Sequence, residues 1–397
     1  MSVDGPSHKA AHGPDHPQSV GCTKAEKALF FADGEPLRLE AGGSLAPVEI
    51  EYESYGRLAP AKDNVILICH ALTGDAHAAG WDSDPSGPLR EYRRDKPGWW
   101  DEVIGPGKPI DTRRFFVVCA NVVGSCYGST GPMSLNPDTG RPYGLSFPVV
   151  TVGDWAGLHM KLLDHLGIDS LYAVIGGSVG GQQALDIALG WPERVRRLIL
   201  LSAAWRITAQ GLGFNSVARH SIINDPNFRG GEYYGGPPPL MGLAAARMLA
   251  HITYLSEESM GHKFGRRLQD KSSPDFTLTG VEFEVESYLK HQGESFVRRY
   301  DANSYLYITR AMDYYDASVR GDGDLVKAAS RMKAKTLVVS FSSDWLFPPE
   351  LCREMVQAMC RAGRAVTYVD IPSRYGHDAF LVETETVSRL MDSFLRN

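Results

Sequence analysis

No stretch of this chain reaches the ~18 consecutive apolar residues that a membrane-spanning helix needs. The first residues also lack the apolar core of a secretory signal, so a cytosolic location is the expectation. Cysteine is scarce, with six in 397 residues at positions 22, 69, 119, 126, 352 and 360. That is too sparse and irregular for a disulfide framework, and no two of them form a C-x-x-C pair. Cys69 and Cys119 fall inside apolar runs and read as buried thiols. There is no basic excess either: 41 Lys and Arg against 47 Asp and Glu give a net charge of -6, which argues against nucleic acid as a partner. Three histidines, His8, His12 and His16, stand near the start. They sit among Pro, Gly and Ser without any apolar period, so residues 1–25 read as a solvated tail and not as a metal site.

What the chain does have is apolar material for a large core, at 43% hydrophobic and 22% charged residues. From "VEIEYESYG" onward, the runs "NVILICH" (64–70), "FFVVCAN" (115–121), "LYAVIGG" (171–177) and "VRRLILLS" (195–202) are continuously apolar. Strands covered on both faces of a parallel sheet have this character. Helix-like stretches at 154–167 and 180–191 separate the last three, so the pattern predicts an α/β sheet with helices on both faces. The rhythm then fails for about a hundred residues, in which 242–256 and 284–316 look helical. It returns with "KTLVVSFSSD" (335–344), a helix at 349–362, "AVTYVDIPS" (365–373) and a closing helix from about 382. The expected organisation is one sheet domain, 26–204 and 325–397, carrying a helical lid insertion at 205–324 placed to roof a site.

One short stretch carries chemistry. "GGSVG" (176–180) fits G-x-S-x-G, with a strand before it and a helix after it, the context in which that pattern marks a nucleophile. The glycines allow a tight strand-to-helix turn that lifts Ser178 clear of the sheet, and the helix N-terminus offers N–H groups where an oxyanion would develop. A hydroxyl needs a base, which in this arrangement follows later in the chain, after an acid. His377 stands alone beyond the returning strands, whereas His251, His262 and His291 lie in helix-like insertion segments. Asp344 ends a strand run, at the edge where catalytic groups collect in such sheets. Its rival Asp370 sits inside the next strand. The candidate triad is therefore Ser178, Asp344 and His377. For the oxyanion, the N–H of Val179 needs a companion from the loop after an early strand, and "ICHALTGD" (68–75) offers that of Leu72. His70 precedes the serine and reads as a structural hydrogen bonder in that loop.

Longer motifs add a resemblance. "NVILICHALTGDAHAAG", "GWWDEVIGPGKPIDT", "NVVGSCYGSTGP", "NPDTGRPYGLSFPVVTV", "GGSVGGQQAL", "HITYLSEE", "YDANSYLY", "SDWLFPP" and "YGHDAFL" together resemble the homoserine O-acetyltransferase family of the α/β-hydrolase fold, from about residue 40 to the C-terminus. The resemblance implies acetyl transfer from acetyl-CoA, as co-substrate and with no permanently bound cofactor, to the hydroxyl of L-homoserine. It further implies a cytoplasmic homodimer working in methionine biosynthesis. It assigns nucleophile, acid and base to Ser178, Asp344 and His377, and substrate contacts to Arg247 and Asp378. An arginine suits the substrate carboxylate and an aspartate its ammonium. Two positions depart from the family pattern: Val179 stands where methionine is usual and Ser125 where glycine is. "GSC" also occurs among relatives that transfer succinyl groups or act on serine, so these alternatives stay open, as does a plain esterase or a non-catalytic binding module. No extra cation is evident near "HALTGDAHAAG" to hold a succinyl carboxylate, which argues against that donor.

Overall fold

The computed structural model describes residues 13–87 and 89–396. Its centre is an eight-stranded sheet: β1 (Glu26–Phe30), β2 (Val48–Tyr55), β3 (Val65–Cys69), β4 (Phe116–Ala120), β5 (Ala173–Gly177), β6 (Arg197–Leu201), β7 (Lys335–Phe341) and β8 (Val366–Ile371). Their order across the sheet is β8-β7-β6-β5-β3-β4-β2-β1. From β4 to β8 every pairing is parallel, while β1 and β2 close the other edge antiparallel.

The continuous apolar runs have a direct cause. In β3, Val65, Leu67 and Cys69 enter one core while Ile66 and Ile68 enter the other; in β6, Leu198 and Leu200 face opposite Ile199 and Leu201. Successive strand residues point to opposite faces, so a sheet covered on both faces demands apolar residues at every position. Each such side chain contributes about 1.5–3 kcal/mol on burial. The helices doing the covering are α1 (Val152–His165) and α2 (Val179–Gly190) early in the chain, and α8 (Leu325–Ser330), α9 (Pro349–Arg361), α10 (Ala379–Val382) and α11 (Thr384–Arg396) late. Thr151 starts α1 with a capping box to Asp154, satisfying backbone N–H groups that the first turn leaves unpaired.

Between β6 and α8 the chain runs through α3 (Ala209–Ile223), α4 (Leu240–Tyr254), α5 (Glu257–Lys263), α6 (Glu284–Phe296) and α7 (Ala302–Tyr314). It leaves and re-enters the sheet domain at one neck, where the Ala317 N–H donates to Trp205 O at 2.9 Å and Arg206 bridges Asp316. Residues 317–321, expected inside the insertion, pack on α2 instead, with Arg320 paired to Asp186 at 2.6 Å. The stretch 284–316 is two helices and not one: Asp301 caps a fresh start by accepting from Ser304 N–H at 2.8 Å, as N-cap residues do. Residues 1–12 of the expected tail lie outside the described residues. Of the remainder, Cys22–Thr23 pairs in parallel with Trp81–Asp82, and Val20 packs on the second core, so the tail does not extend to residue 25. Cys69 and Cys119 are buried, as are Cys126 and Cys352. Among the described residues no helix is long and apolar enough to cross a membrane.

Candidate active site

Four loops meet at the C-terminal edge of the parallel strands: 70–75 after β3, the turn into α2 after β5, residues 342–348 after β7 and residues 372–378 after β8. That edge is where open α/β sheets gather ligands, because adjacent strands diverge into loops there.

Ser178 occupies the turn after β5 at φ 56° and ψ -130°. An L residue holds such a backbone only where its surroundings impose it, at about 1–3 kcal/mol. The imposing contacts are backbone to backbone. A Cβ on Gly176 would fall 2.1 Å from Gly180 O, and one on Gly180 would fall 2.1 Å from Cys69 O. Both motif glycines are therefore required by close approach, and α2 begins directly beneath the serine.

His377 links the other loops. Its Nδ1 lies 2.8 Å from Asp344 Oδ2 and its Nε2 lies 2.9 Å from Ser178 Oγ. A carboxylate only accepts, so Nδ1 carries the proton and Nε2 is left to receive the serine's. Asp344 cannot swing away, because its Oδ1 accepts the N–H groups of Leu346 and Phe347 at 3.0 and 2.9 Å. The Phe347 ring stacks on the imidazole at 5.2 Å between centroids. Ser178, Asp344 and His377 are all buried, at 6%, 3% and 3% exposure. Burial alone would depress the His377 pKa; the Asp344 carboxylate outweighs it, Asp378 adds to the effect, and the net result is raised. Asp370 is not part of this group: it accepts from Ser340 Oγ at 2.8 Å within the sheet and faces Arg353.

Leu72 and Ser178 line one small pocket, whose remaining wall comes largely from α3, α4 and α7, including Asn215, Tyr254 and Tyr305. Among the described residues neither the Leu72 nor the Val179 amide has a backbone hydrogen-bond partner. Two N–H donors thus stand free beside the serine, which is what a developing oxyanion requires.

Arg247 on α4 and Asp378 in the turn beside His377 complete the surroundings of this group. Each feels the other's charge, yet they form no ion pair with one another or with any other side chain among the described residues. The Arg247 Nε is buried without a hydrogen-bond partner, and the guanidinium rests on the rings of Phe296 and Tyr254 at 4.7 and 5.7 Å. Burial lowers its pKa. For Asp378 burial works the other way, pushing the carboxyl up to about 6 even though His377 and Arg247 pull it down. A cation and a carboxylate that feel each other's charge yet stay unpaired offer complementary partners to a zwitterion.

Several residues here escape a reading of the sequence. Tyr254 and Phe347 wall the imidazole, and Arg299 and Tyr300 reach from the break between α6 and α7 onto the 72–73 loop. Arg299 Nη1 lies 3.4 Å from Thr73 O. The expectation that no cation stands near "HALTGDAHAAG" therefore fails, because the fold delivers one from 226 positions away. Among the described residues no three His, Cys, Asp or Glu side chains are grouped to hold a metal ion.

Comparison with known proteins gives this geometry a context. Residues 64–384 match the model of the alpha/beta hydrolase fold family. The chain is 51% identical over 366 residues to a homoserine O-acetyltransferase of Methanohalobium evestigatum, covering 92% of this chain and 72% of the relative. It is 48% identical over 381 residues to a homoserine O-succinyltransferase of Dechloromonas aromatica, covering 96% and 98%. Among solved structures, homoserine O-acetyltransferase from Bacillus anthracis superposes with a TM-score of 0.85 at 29% identity, over 95% of this chain and 98% of that one. Esterase E22 superposes at 0.82 with 33% identity, over 94% and 100%.

Proposed function

Because the chain belongs to the α/β-hydrolase fold family and, within it, to the homoserine O-acetyltransferases, we propose that it carries an acetyl group from acetyl-CoA to the hydroxyl of L-homoserine through an acyl-enzyme on Ser178. His377, held by Asp344, takes the Ser178 proton as Oγ attacks the thioester carbonyl, and the N–H groups of Leu72 and Val179 hold the oxyanion. Collapse expels CoA, whose sulfur takes the proton from His377. Homoserine then enters, with its carboxylate on Arg247 and its ammonium on Asp378. His377 removes the proton of its hydroxyl, which attacks the acyl-serine and frees Ser178. The products are CoA and O-acetyl-L-homoserine, an intermediate of methionine biosynthesis, and ping-pong kinetics follow because CoA leaves the acyl-enzyme before homoserine enters.

The observation that carries this reading is the unpaired Arg247 and Asp378 flanking a buried triad. An esterase needs the triad alone; a cation and a carboxylate kept apart at the cost of their own pairing suit an α-amino-acid acceptor. Burial of Ser178 beneath the helical insertion supports transfer over hydrolysis, since water would otherwise capture the acyl-serine. Exposed apolar side chains on α3 and α4, among them Leu212, Val217, Leu240 and Met241, support a homodimer, and we place the enzyme in the cytoplasm.

A second reading, succinyl transfer, is favoured by Arg299 beside the oxyanion loop. One assay separates them: CoA release with L-homoserine, acetyl-CoA or succinyl-CoA in parallel, with L-serine and no-acceptor controls and a Ser178→Ala variant. Release that needs acetyl-CoA and homoserine and disappears in the variant is expected. Preference for succinyl-CoA or serine moves the chain to a sister activity, and acceptor-independent release makes it a hydrolase.

A further inference from the structure

We propose that His70, which the reaction itself does not use, is a positioning residue that aims the Leu72 N–H at the oxyanion. The inference rests on the proposed role of Leu72. Its basis is the geometry of a loop whose carbonyls are held one after another. His70 O accepts from Gln183 Nε2 on α2 at 3.2 Å. Ala71 O accepts from Gly74 N–H at 3.0 Å and contacts His70 Nδ1 at 2.9 Å. Leu72 O accepts from Tyr300 Oη at 3.0 Å, and Thr73 O from Arg299 at 3.4 Å. Four consecutive carbonyls are tied, and the Leu72 N–H among them is left without a backbone partner.

A trans peptide unit is planar, with its C=O and N–H pointing in opposite directions. The Leu72 N–H and the Ala71 C=O belong to one such unit, so tying Ala71 O from one side directs the Leu72 N–H to the other. The partners dictate the tautomer of His70. Ala71 O can only accept, so Nδ1 is protonated; the Val122 N–H can only donate, and Nε2 accepts it at 3.3 Å. Burial lowers the His70 pKa and favours the neutral ring, as acceptance from Val122 requires. The ring therefore works as a strut from β4's following loop, through Val122, to the peptide that carries the oxyanion donor.

Two substitutions divide this strut. The Asn amide nitrogen occupies the position of His Nδ1, so His70→Asn keeps the bond to Ala71 O and abandons Val122. The Gln amide occupies the position of His Nε2, so His70→Gln keeps Val122 and abandons Ala71. We expect His70→Asn to hold kcat within about tenfold of the parent and His70→Gln to lose about 10²–10³-fold, the range seen when one oxyanion donor is removed. KM for homoserine should move little in either. A short alkylboronic acid, which forms a tetrahedral adduct on Ser178 with one oxygen in the oxyanion site, should bind more weakly to His70→Gln and nearly as before to His70→Asn. The proposal is overturned if His70→Gln matches or exceeds His70→Asn in kcat, if the boronate binds both alike, or if only KM responds. Should circular dichroism show that His70→Gln does not fold, His70→Asn decides alone: retained kcat supports the strut, and a 10²-fold loss in a folded protein sinks it. Residual transfer in Ser178→Ala would instead defeat the underlying reading of the triad, whatever the His70 variants do.

Discussion

Replacing Asp378 by Asn separates acceptor binding from the triad's chemistry. The carboxylate is half-buried, makes no ion pair and lies beside His377, with its pKa pushed up to about 6 by burial. Asn keeps the size and removes the charge. A hydrogen bond to a charged partner is worth about 1.5–3 kcal/mol, so kcat/KM for homoserine should fall about 10–150-fold, mostly through KM. Acylation of Ser178 by a simple acetyl ester, which has no ammonium, should change by less than about threefold. The pH dependence gives a second signature. In the parent, Asp378 must be ionised to hold the ammonium, so homoserine KM should rise as pH falls through about 6; in Asp378→Asn that rise should vanish. Asp378 also raises the His377 pKa, so its removal should move the acid limb of ester hydrolysis to lower pH. Stability should move the other way. A carboxyl whose folded pKa lies above its unfolded value loses stability as pH rises above the unfolded value, the full loss being present above the folded one. Near neutral pH, Asp378→Asn should therefore be more stable than the parent, by about 1–3 kcal/mol after allowance for solvent screening. Parallel initial rates for homoserine transfer and ester cleavage from pH 5 to 9, with thermal melts, read all of this. An equal loss in both reactions, or an unchanged homoserine KM, would refute the clamp.

Three further outcomes follow from the same geometry. Ser178→Gly should lose transfer by about 10⁶-fold, and should melt higher than Ser178→Ala, since glycine holds φ 56° freely; the difference should be about 1 kcal/mol, read by denaturant titration of the two variants. Asp344→Asn should lower kcat about 10⁴-fold with little change in KM, because an amide no longer enforces a proton on His377 Nδ1; single-turnover acylation should show the same loss. Gly180→Ala would place a Cβ 2.1 Å from Cys69 O and 2.8 Å from His70 O, forcing α2 and the oxyanion loop apart. It should cost about 1–3 kcal/mol of stability and depress ester cleavage and homoserine transfer together, which a melt and the paired rate assay would record.

The parts legible in the sequence are those written in adjacent residues. The β3 and β6 runs announce strands covered on both faces, and a G-x-S-x-G turn between an apolar run and a helix announces a nucleophile, because both signals are confined to about ten positions. His377 and Asp344 were legible for a topological reason: each follows a strand, and parallel strands leave their C-terminal ends on one edge. β1 was not, since "EKALF" is a short edge strand with alternating exposure and only two apolar side chains facing the core. α3 was hidden by the glycines of "AQGLGFNSVARH", which weaken its helical period.

The largest omission, the docking of Arg299 and Tyr300 on the oxyanion loop, has a different cause. These contacts join positions 226 and 228 residues apart, and nothing in either segment refers to the other. They also tie the lid to the chemistry. The segment that breaks α6 from α7 holds the carbonyls of Leu72 and Thr73, so a lid that lifted as a unit would release two of the four ties on the loop that carries the oxyanion donor. Opening to solvent and loss of oxyanion support would then coincide. In a transferase that coupling has a use: the acyl-serine is least able to react when water can reach it, and regains its reactive geometry when the lid seats over the acceptor. Tyr300→Phe removes one tie without disturbing the ring. It should raise neither ester cleavage nor hydrolysis of acetyl-CoA if the tie acts only on the donor loop, but should lower both with homoserine transfer by about tenfold; hydrolysis that rises while transfer falls would show that the tie holds the lid shut instead.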